Sequence, residues 1–224
     1  MAITAAEVNK LRTITGAGMM DCKKALEETN GDFEAAIDYL RKKGQKVAAK
    51  RSDREANEGV VIAKTNAANN VGIVIKLTSE TDFVAKNADF IAFAEQIAQT
   101  AIDSQPASID ELKEKSIGGK TIADAINDQV AKIGEKIDVV TYEKLQAETV
   151  VAYNHAGNRI GVLVAMNQPH TEQIINAGKD AAMQVAAMNP VAVDKDDVSE
   201  DTLRREIEIA KEQIRAEGKP EEMV

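Results

Sequence analysis

Apolar residues between positions 60 and 102 follow two different periods that meet at a short polar turn. Val71 to Leu77 is a short, β-branched run beside glycine, which is typical of a buried strand. From Ala88 to Ile102 the apolar residues recur at the spacing of one helical face. The pattern predicts a strand, a turn and a helix, with Asp82 and Phe83 at the tip of the turn.

The residue types at this tip allow two interpretations. Phe83 folds back into the core while Asp82 caps the following helix, or both side chains project into a partner. Composition alone favours the first interpretation. Because aromatic residues make up only 3% of the chain, a phenylalanine beside a carboxylate on a turn still requires an explanation.

The first part of the chain contains three helical patterns separated by turns. Thr4 and Glu7 have the spacing of a capping box at the start of the first helix. Glycines end that helix, and Asp32 is placed to cap the third. Residues 1–43 are therefore predicted to form a ubiquitin-associated-like three-helix bundle.

The second helix of this bundle begins with two methionines. Since the core is small, we expect one of Met19 and Met20 to pack inside and the other to lie on a binding surface. Cys22, the only cysteine, is expected to be a small buried apolar residue rather than a redox switch.

A sequence repeat follows the bundle. Residues 69–75 and 158–164 match position by position at an offset of 89 residues. Each copy lies after an earlier strand pattern and before a helix pattern, as expected for a hairpin covered by a helix. The repeat predicts an α+β fold with a duplicated core of antiparallel β-hairpins, divided into subdomains at 58–140 and 141–198.

The segments beside the repeat are predicted to be helical. Residues 104–147 carry apolar positions at heptad-like spacing, and a glycine at 134 closes that helix. Residues 200–217 form a strongly amphipathic pattern with Leu203, Ile207 and Ile214 on one stripe. Such a helix is expected to protrude and to pack on another segment or molecule.

A basic stretch joins the bundle to the core. Residues 41–54 contain seven basic residues and one acid, so 44–57 is predicted to be a linker. A solvated tether is favoured over a nucleic-acid patch, because no aromatic residues are interleaved to stack on bases.

Composition limits the classes of function. A net charge of -9 argues against a duplex-DNA binder, whose affinity comes from neutralising phosphates. The N-terminal twenty residues lack the pattern of a secretory signal, and no apolar run is long enough to span a membrane. These features predict a cytoplasmic protein without a membrane contact.

Several kinds of chemical site are excluded by spacing. Residues 119–121 resemble the end of a phosphate-binding loop, but Glu114 stands where the motif requires glycine. His155 and His170 lack partners at zinc-ligand spacing, and the acidic cluster at 194–197 lacks the rest of a calcium loop. We therefore expect no metal, no cofactor and no catalytic residue.

Three motifs in this order resemble the bacterial elongation factor Ts family. They lie at residues 15–26, 81–85 and 159–164, and the resemblance runs from the N-terminus into the tail. It implies a guanine nucleotide exchange factor for elongation factor Tu, the GTPase that carries aminoacyl-tRNA to the ribosome. Such a factor acts by protein binding and is not itself an enzyme.

The resemblance also implies where the GTPase binds. Phe83 would wedge between helices beside the nucleotide, and the displacement would disturb the magnesium ion that bridges GDP and protein. A homodimer, or two copies with two GTPases, is left open. The residues implied as partner contacts are Arg12, Met19, Met20, Thr81, Asp82, Phe83, Val84, Ile133, Gly134 and His155.

The tail departs from the resemblance. In longer members the segment corresponding to 199–224 is the first arm of an antiparallel coiled-coil hairpin, followed by a further contact segment. Here the chain stops where the return should start, which suggests a truncated form. The stripe through Leu203 is then expected to be exposed or packed on a neighbour.

Two alternatives remain from other classes of protein. An adaptor or ribosome-associated RNA-binding protein would use the basic stretch, and its binding would depend steeply on salt. The resemblance, by contrast, implies no direct nucleic-acid contact. An enzyme would require a cleft with perturbed titratable groups, and the sequence shows none.

Overall fold

The computed structural model describes residues 3–218, which divide into two units between residues 186 and 187. The described helices are α1 (Ala5–Thr15), α2 (Met19–Glu28), α3 (Phe33–Arg51), α4 (Asp82–Ala85), α5 (Ala88–Ser104), α6 (Ile109–Glu114), α7 (Ile122–Ile133), α8 (Glu172–Met188) and α9 (Glu200–Ala216). The described strands are β1 (Glu58–Thr65), β2 (Val71–Ser79), β3 (Ser116–Ile117), β4 (Lys120–Thr121), β5 (Asp138–Gln146), β6 (Thr149–Asn154) and β7 (Gly161–Met166). The fold is α+β, as predicted.

Helices α1 to α3 form the predicted N-terminal bundle. The capping box is present, with the Thr4 amide donating to the Glu7 carboxylate at 2.8 Å. Leu11, Cys22 and Leu26 are buried at the centre of the bundle. Its small core is thus built from few residues, one of which is the single cysteine.

The predicted linker at 44–57 is helical over its first part, because α3 continues to Arg51. Lysine, arginine, alanine and glutamine all favour a helix, so the basic composition does not break it. Gly44 lies against α7, where an added Cβ would be 3.0 Å from the Cβ of Ala131. Val47 and Ala48 pack on the main core. Residues 44–51 are therefore a docked helix and not a tether.

The larger sheet has the strand order β1, β2, β5 with antiparallel neighbours. Helix α5 covers it, and Phe90 is buried between the two layers. The strand β5 corrects the prediction that residues 104–147 are largely helical. Helix α7 ends at Gly134, whose φ of 80° is left-handed. Beyond it Val139 is buried opposite Leu77, so pairing with β2 determines the structure there.

The second hairpin, β6 with β7, also forms as predicted. Helix α8 covers it closely, since a Cβ added at Gly178 would be 2.6 Å from Cγ2 of Val151. The two hairpins of the repeat pack on each other around Gly72 and Gly161. The subdomain boundaries at 58–140 and 141–198 stay predictions.

The tail helix α9 begins at its cap, Ser199. Within Glu200–Ala216, all of which the structure describes, no side chain is buried. Leu203 is 54% exposed and Ile207 44%, in agreement with the predicted exposed stripe. The last residues assigned to this arm, 219–224, lie outside the described residues. Among residues 3–218, no helix is long and apolar enough to cross a bilayer.

Candidate protein-binding site

The tip between β2 and α5 presents Phe83 to solvent. Strand β2 ends at Ser79, and the single turn α4 begins after its cap, Thr81. Phe83 is 83% exposed, whereas its neighbours Val84 and Ala85 pack inward. The interpretation in which Phe83 folds back into the core is therefore wrong. Helix α4 has only four residues, so when Val84 and Ala85 face the core, the side chain of Phe83 points to solvent.

Asp82 does not cap the following helix, which corrects the second half of that interpretation. The cap of α5 is Asn87, whose side-chain oxygen accepts from the amides of Asp89 at 2.8 Å and Phe90 at 3.3 Å. Asp82 lies in the first turn of α4 and accepts from Lys86 Nζ at 2.7 Å. That hydrogen bond is the main reason why the pKa of Asp82 is below its ordinary value.

Two glutamates surround the start of the tip. Glu135, just after α7, accepts from the backbone amides of Glu80 and Thr81, each at 3.0 Å. Glu80 in turn accepts from the amide of Lys136 at 2.6 Å and from Arg51 at 2.7 Å. Burial raises the pKa of Glu80, but these hydrogen bonds outweigh it and leave the pKa below its ordinary value.

These contacts bring the predicted contact positions Ile133 and Gly134 beside the tip. Ile133 is the last residue of α7 and packs partly on the main core. Gly134 follows in a left-handed conformation, and Glu135 then reaches Thr81. The end of α7 and the tip are thus directly connected.

His155 lies in the turn between β6 and β7. Its Nδ1 is 2.9 Å from the hydroxyl of Tyr153, and its amide donates to the carbonyl of Ile160. Arg159 in the same turn donates to Glu58, and Glu58 lies opposite Ser79 at the end of β2, where the tip begins. The turn that carries His155 is therefore on the side of the core that carries the tip.

The three predicted contact residues of the bundle are all exposed. Met19 is 52% exposed and Met20 72%, so the expectation that one of them packs inside is wrong. Both line a surface groove with Val8. Arg12 is exposed on α1. Since Leu11, Cys22 and Leu26 already fill the small core, the methionines remain outside it.

Part of the basic stretch is used within the fold. Lys43 pairs with Asp21, and both Arg51 and Arg54 pair with Glu80. These ion pairs reduce the positive charge available to a nucleic acid. They also show that the stretch supports the tip, a role that its composition did not indicate.

Sequence reasoning missed Glu80, Asn87, Glu135 and Lys136 as residues of this site. Asn87 has a signal, because an asparagine directly before a helical pattern is a strong cap. The sequence signal for Glu135 is weaker, namely its position directly after Gly134, the glycine that ends α7. Among the described residues no group of three or more His, Cys, Asp or Glu side chains is placed to hold a metal ion.

The fold and the site define an α+β protein that presents an exposed apolar side chain, Phe83, at a tip of its core. Comparison with known proteins identifies the family. The model of the family "Elongation factor TS" matches residues 80–224. The chain belongs to the elongation factor Ts family, and this membership supports, in general terms, an exchange-factor role.

Relatives named elongation factor Ts match along nearly the whole chain. The protein of Amoebophilus asiaticus is 52% identical over 224 residues, which are 100% of this chain and 81% of the relative. That of Flavobacterium psychrophilum is 53% identical over 222 residues, covering 99% and 80%. That of Cytophaga hutchinsonii is 52% identical over 223 residues, covering 99% and 80%.

Proposed function

We propose that this protein promotes release of GDP from elongation factor Tu by inserting Asp82 and Phe83 beside the nucleotide and magnesium site. It then stabilises the nucleotide-free GTPase. The observation that carries this proposal is the 83% exposure of Phe83 on a short turn that is tied to the core on both sides.

An exposed phenylalanine on an ordered turn is suited to act as a wedge. Burying such a side chain contributes about 1.5–3 kcal/mol, which corresponds to roughly ten- to hundredfold in affinity. The turn is already ordered, so little conformational entropy is lost on binding. The hydrogen bond from Lys86 lowers the pKa of Asp82. Asp82 therefore brings a negative charge towards the phosphates.

The effect on GDP follows from thermodynamic linkage. If this protein weakens GDP binding by a given factor, GDP weakens binding of this protein by the same factor. Disturbing the magnesium ion removes a large electrostatic contribution to GDP binding. The nucleotide-free GTPase is therefore the form bound most tightly, and no covalent step is needed.

The other predicted contacts form two further parts of the interface. On the bundle, exposed Arg12, Met19 and Met20 bind the GTPase domain. On the core, Ile133, Gly134 and His155 extend the surface that begins at the tip. The protein contributes no cofactor or metal, and nucleic acid does not take part directly.

Release of a fluorescent GDP analogue from elongation factor Tu tests the proposal. The wild-type chain should accelerate release, and Phe83→Ala should largely abolish the acceleration. Val140→Ala, which also truncates an exposed apolar side chain, serves as the matched control and should behave as wild type. Equal acceleration by Phe83→Ala and wild type would overturn the wedge mechanism. If neither the wild type nor Phe83→Ala accelerates release, binding to the nucleotide-free GTPase is measured. Failure to bind would overturn elongation factor Tu as the partner.

A further inference from the structure

We propose that Glu135 is a positioning residue for the tip: its carboxylate fixes the direction in which Phe83 is presented to the GTPase. The inference rests on the proposed function, because its kinetic readout is GDP release. Glu135 lies 54 residues from Thr81 in the chain, so this support comes from the tertiary fold and not from the turn itself.

A single carboxylate accepts three hydrogen bonds at the start of the tip. One oxygen of Glu135 accepts from the amides of Glu80 and Thr81 at 3.0 Å each. The other oxygen accepts from the Thr81 hydroxyl at 2.6 Å. Hydrogen bonds to an ionised acceptor are stronger than those between neutral groups. The backbone and the side chain of Thr81 are therefore fixed together.

Thr81 transmits this constraint to the turn that carries Phe83. Its hydroxyl donates to Glu135 and accepts from the amide of Val84 at 3.5 Å. Its carbonyl accepts from the amide of Ala85 at 3.3 Å. A helix of four residues is not stable by itself. The two bonds that Thr81 accepts, from the amides of Val84 and Ala85, are both long. The direction of α4 therefore depends on how Thr81 is anchored.

Glu135 is itself held in place by reciprocal contacts with the segment around Glu80. We call Glu80 and Glu135 together the two-glutamate clamp. Glu135 accepts from the backbone of Glu80, and Glu80 accepts from the backbone of Lys136 at 2.6 Å. Lys136 Nζ also donates to the carbonyls of Ser52 at 2.6 Å and Arg54 at 2.9 Å. The end of α7, the end of α3 and the tip are thereby joined.

The substitution Glu135→Gln tests the role with little change in shape. The amide keeps one acceptor oxygen but loses the negative charge that strengthens all three hydrogen bonds, and its NH₂ cannot accept from the Thr81 hydroxyl, which must turn and accept instead. At saturating factor, we expect GDP release from elongation factor Tu to be about tenfold slower than with wild type. Glu148→Gln, an exposed glutamate outside the clamp, should match wild type.

Amide hydrogen exchange gives a readout that does not involve the GTPase. In Glu135→Gln the amides of Glu80, Thr81 and Val84 should exchange at least tenfold faster, while amides of β6 stay unchanged. Unchanged protection of these three amides would overturn the inference. If protection is lost but even the wild type fails to accelerate GDP release, the proposed function fails and the clamp stands.

Combining variants separates positioning from general destabilisation. If Glu135 acts through Phe83, Glu135→Gln should slow release only slightly further in the Phe83→Ala background. The same factor of slowing in both backgrounds would overturn the inference. In hydrogen exchange, Thr81→Val should lose the protection of the Val84 amide, whereas Thr81→Ser, which keeps the hydroxyl, should retain it. Thr81→Val also provides the test if Glu135→Gln fails to fold.

Discussion

The backbone amide of Val150 donates a hydrogen bond of 2.6 Å to the carbonyl oxygen of Asn69. The equivalent bond at the other end of the repeat joins the amide of Val61 to the carbonyl of Asn158 at 2.7 Å. Both asparagines are left-handed, with φ of 50° and 53°. Each hairpin turn thus binds the first strand of the other hairpin, so the repeat has local twofold symmetry.

Gly72→Ala should destabilise the fold at this contact between hairpins. A Cβ at Gly72 would be 2.6 Å from Cγ1 of Val150 and 2.9 Å from Cδ2 of Leu163. Overpacking of this kind costs about 1–3 kcal/mol, which denaturant unfolding can measure. Gly18→Ala is the control, because a Cβ there meets only one atom, at 3.8 Å. Equal stability of the two variants would contradict the close packing.

Local patterns predicted the elements whose pairing partners are near in sequence. The hairpin around Asn69, its copy around Asn158 and the cap at Thr4 all follow from short-range spacing, and all are present. The sequence pattern does not reveal strand β5, because its pairing with β2 is long-range. The helical spacing of apolar residues before Gly134 predicts a helix that continues past Gly134, where the structure has a strand. The composition of the basic stretch predicts a linker, because the docking of Gly44 on α7 leaves no local signal in the sequence.

For the candidate site too, local sequence predicts some features, and others depend on contacts that are distant in the chain. The motif around Phe83 could be identified from the sequence, but its exposure could not be decided there. Exposure depends on Val84 and Ala85 facing the core, and on contacts from Glu135 more than fifty residues away. Residue type alone favoured burial of Phe83, since phenylalanine is usually buried. The tertiary structure overrides that preference.

Phe83→Ala should leave stability nearly unchanged. Its side chain is 83% exposed and loses few contacts when truncated, so the free energy of unfolding should change by less than about 0.5 kcal/mol. Phe90→Ala, at a residue that is 1% exposed, should cost about 3–5 kcal/mol. Chemical denaturation of both variants makes the comparison. A large loss for Phe83→Ala would mean that the side chain packs in the core.

Asn87→Ala should weaken α5, whereas Asp82→Ala should not. Removing the cap leaves the amides of Asp89 and Phe90 without their acceptor and should cost about 1 kcal/mol. Asp82 makes an exposed ion pair with Lys86, which contributes little to stability, so its removal should cost less than loss of the Asn87 cap. Thermal melting of the two variants distinguishes them, and the reverse order would restore Asp82 as the cap.

Glu80 should make stability depend on pH below neutrality. Its pKa lies below the ordinary value of 4.5 because Lys136, Arg51 and Arg54 donate to the charged form and outweigh the effect of burial. A lowered pKa stabilises the fold above the unfolded-state value, and this contribution is lost as pH falls through the folded-state pKa. The loss should therefore begin near the ordinary value and continue below it.

Glu80→Gln removes this titration and so isolates it. At pH 7 the variant should be less stable than wild type by about 1.5 kcal/mol, since it loses hydrogen bonds to a charged group. The difference should shrink as pH falls from 7 to below 4.5, because wild-type Glu80 becomes neutral as pH drops through its lowered pKa. Denaturant unfolding across this range gives the measurement, with Glu148→Gln, at an exposed glutamate outside the clamp, as the control. A difference that stays constant with pH would mean that Arg51 and Arg54 do not stabilise the ionised Glu80, leaving only the packing of its side chain to explain the loss.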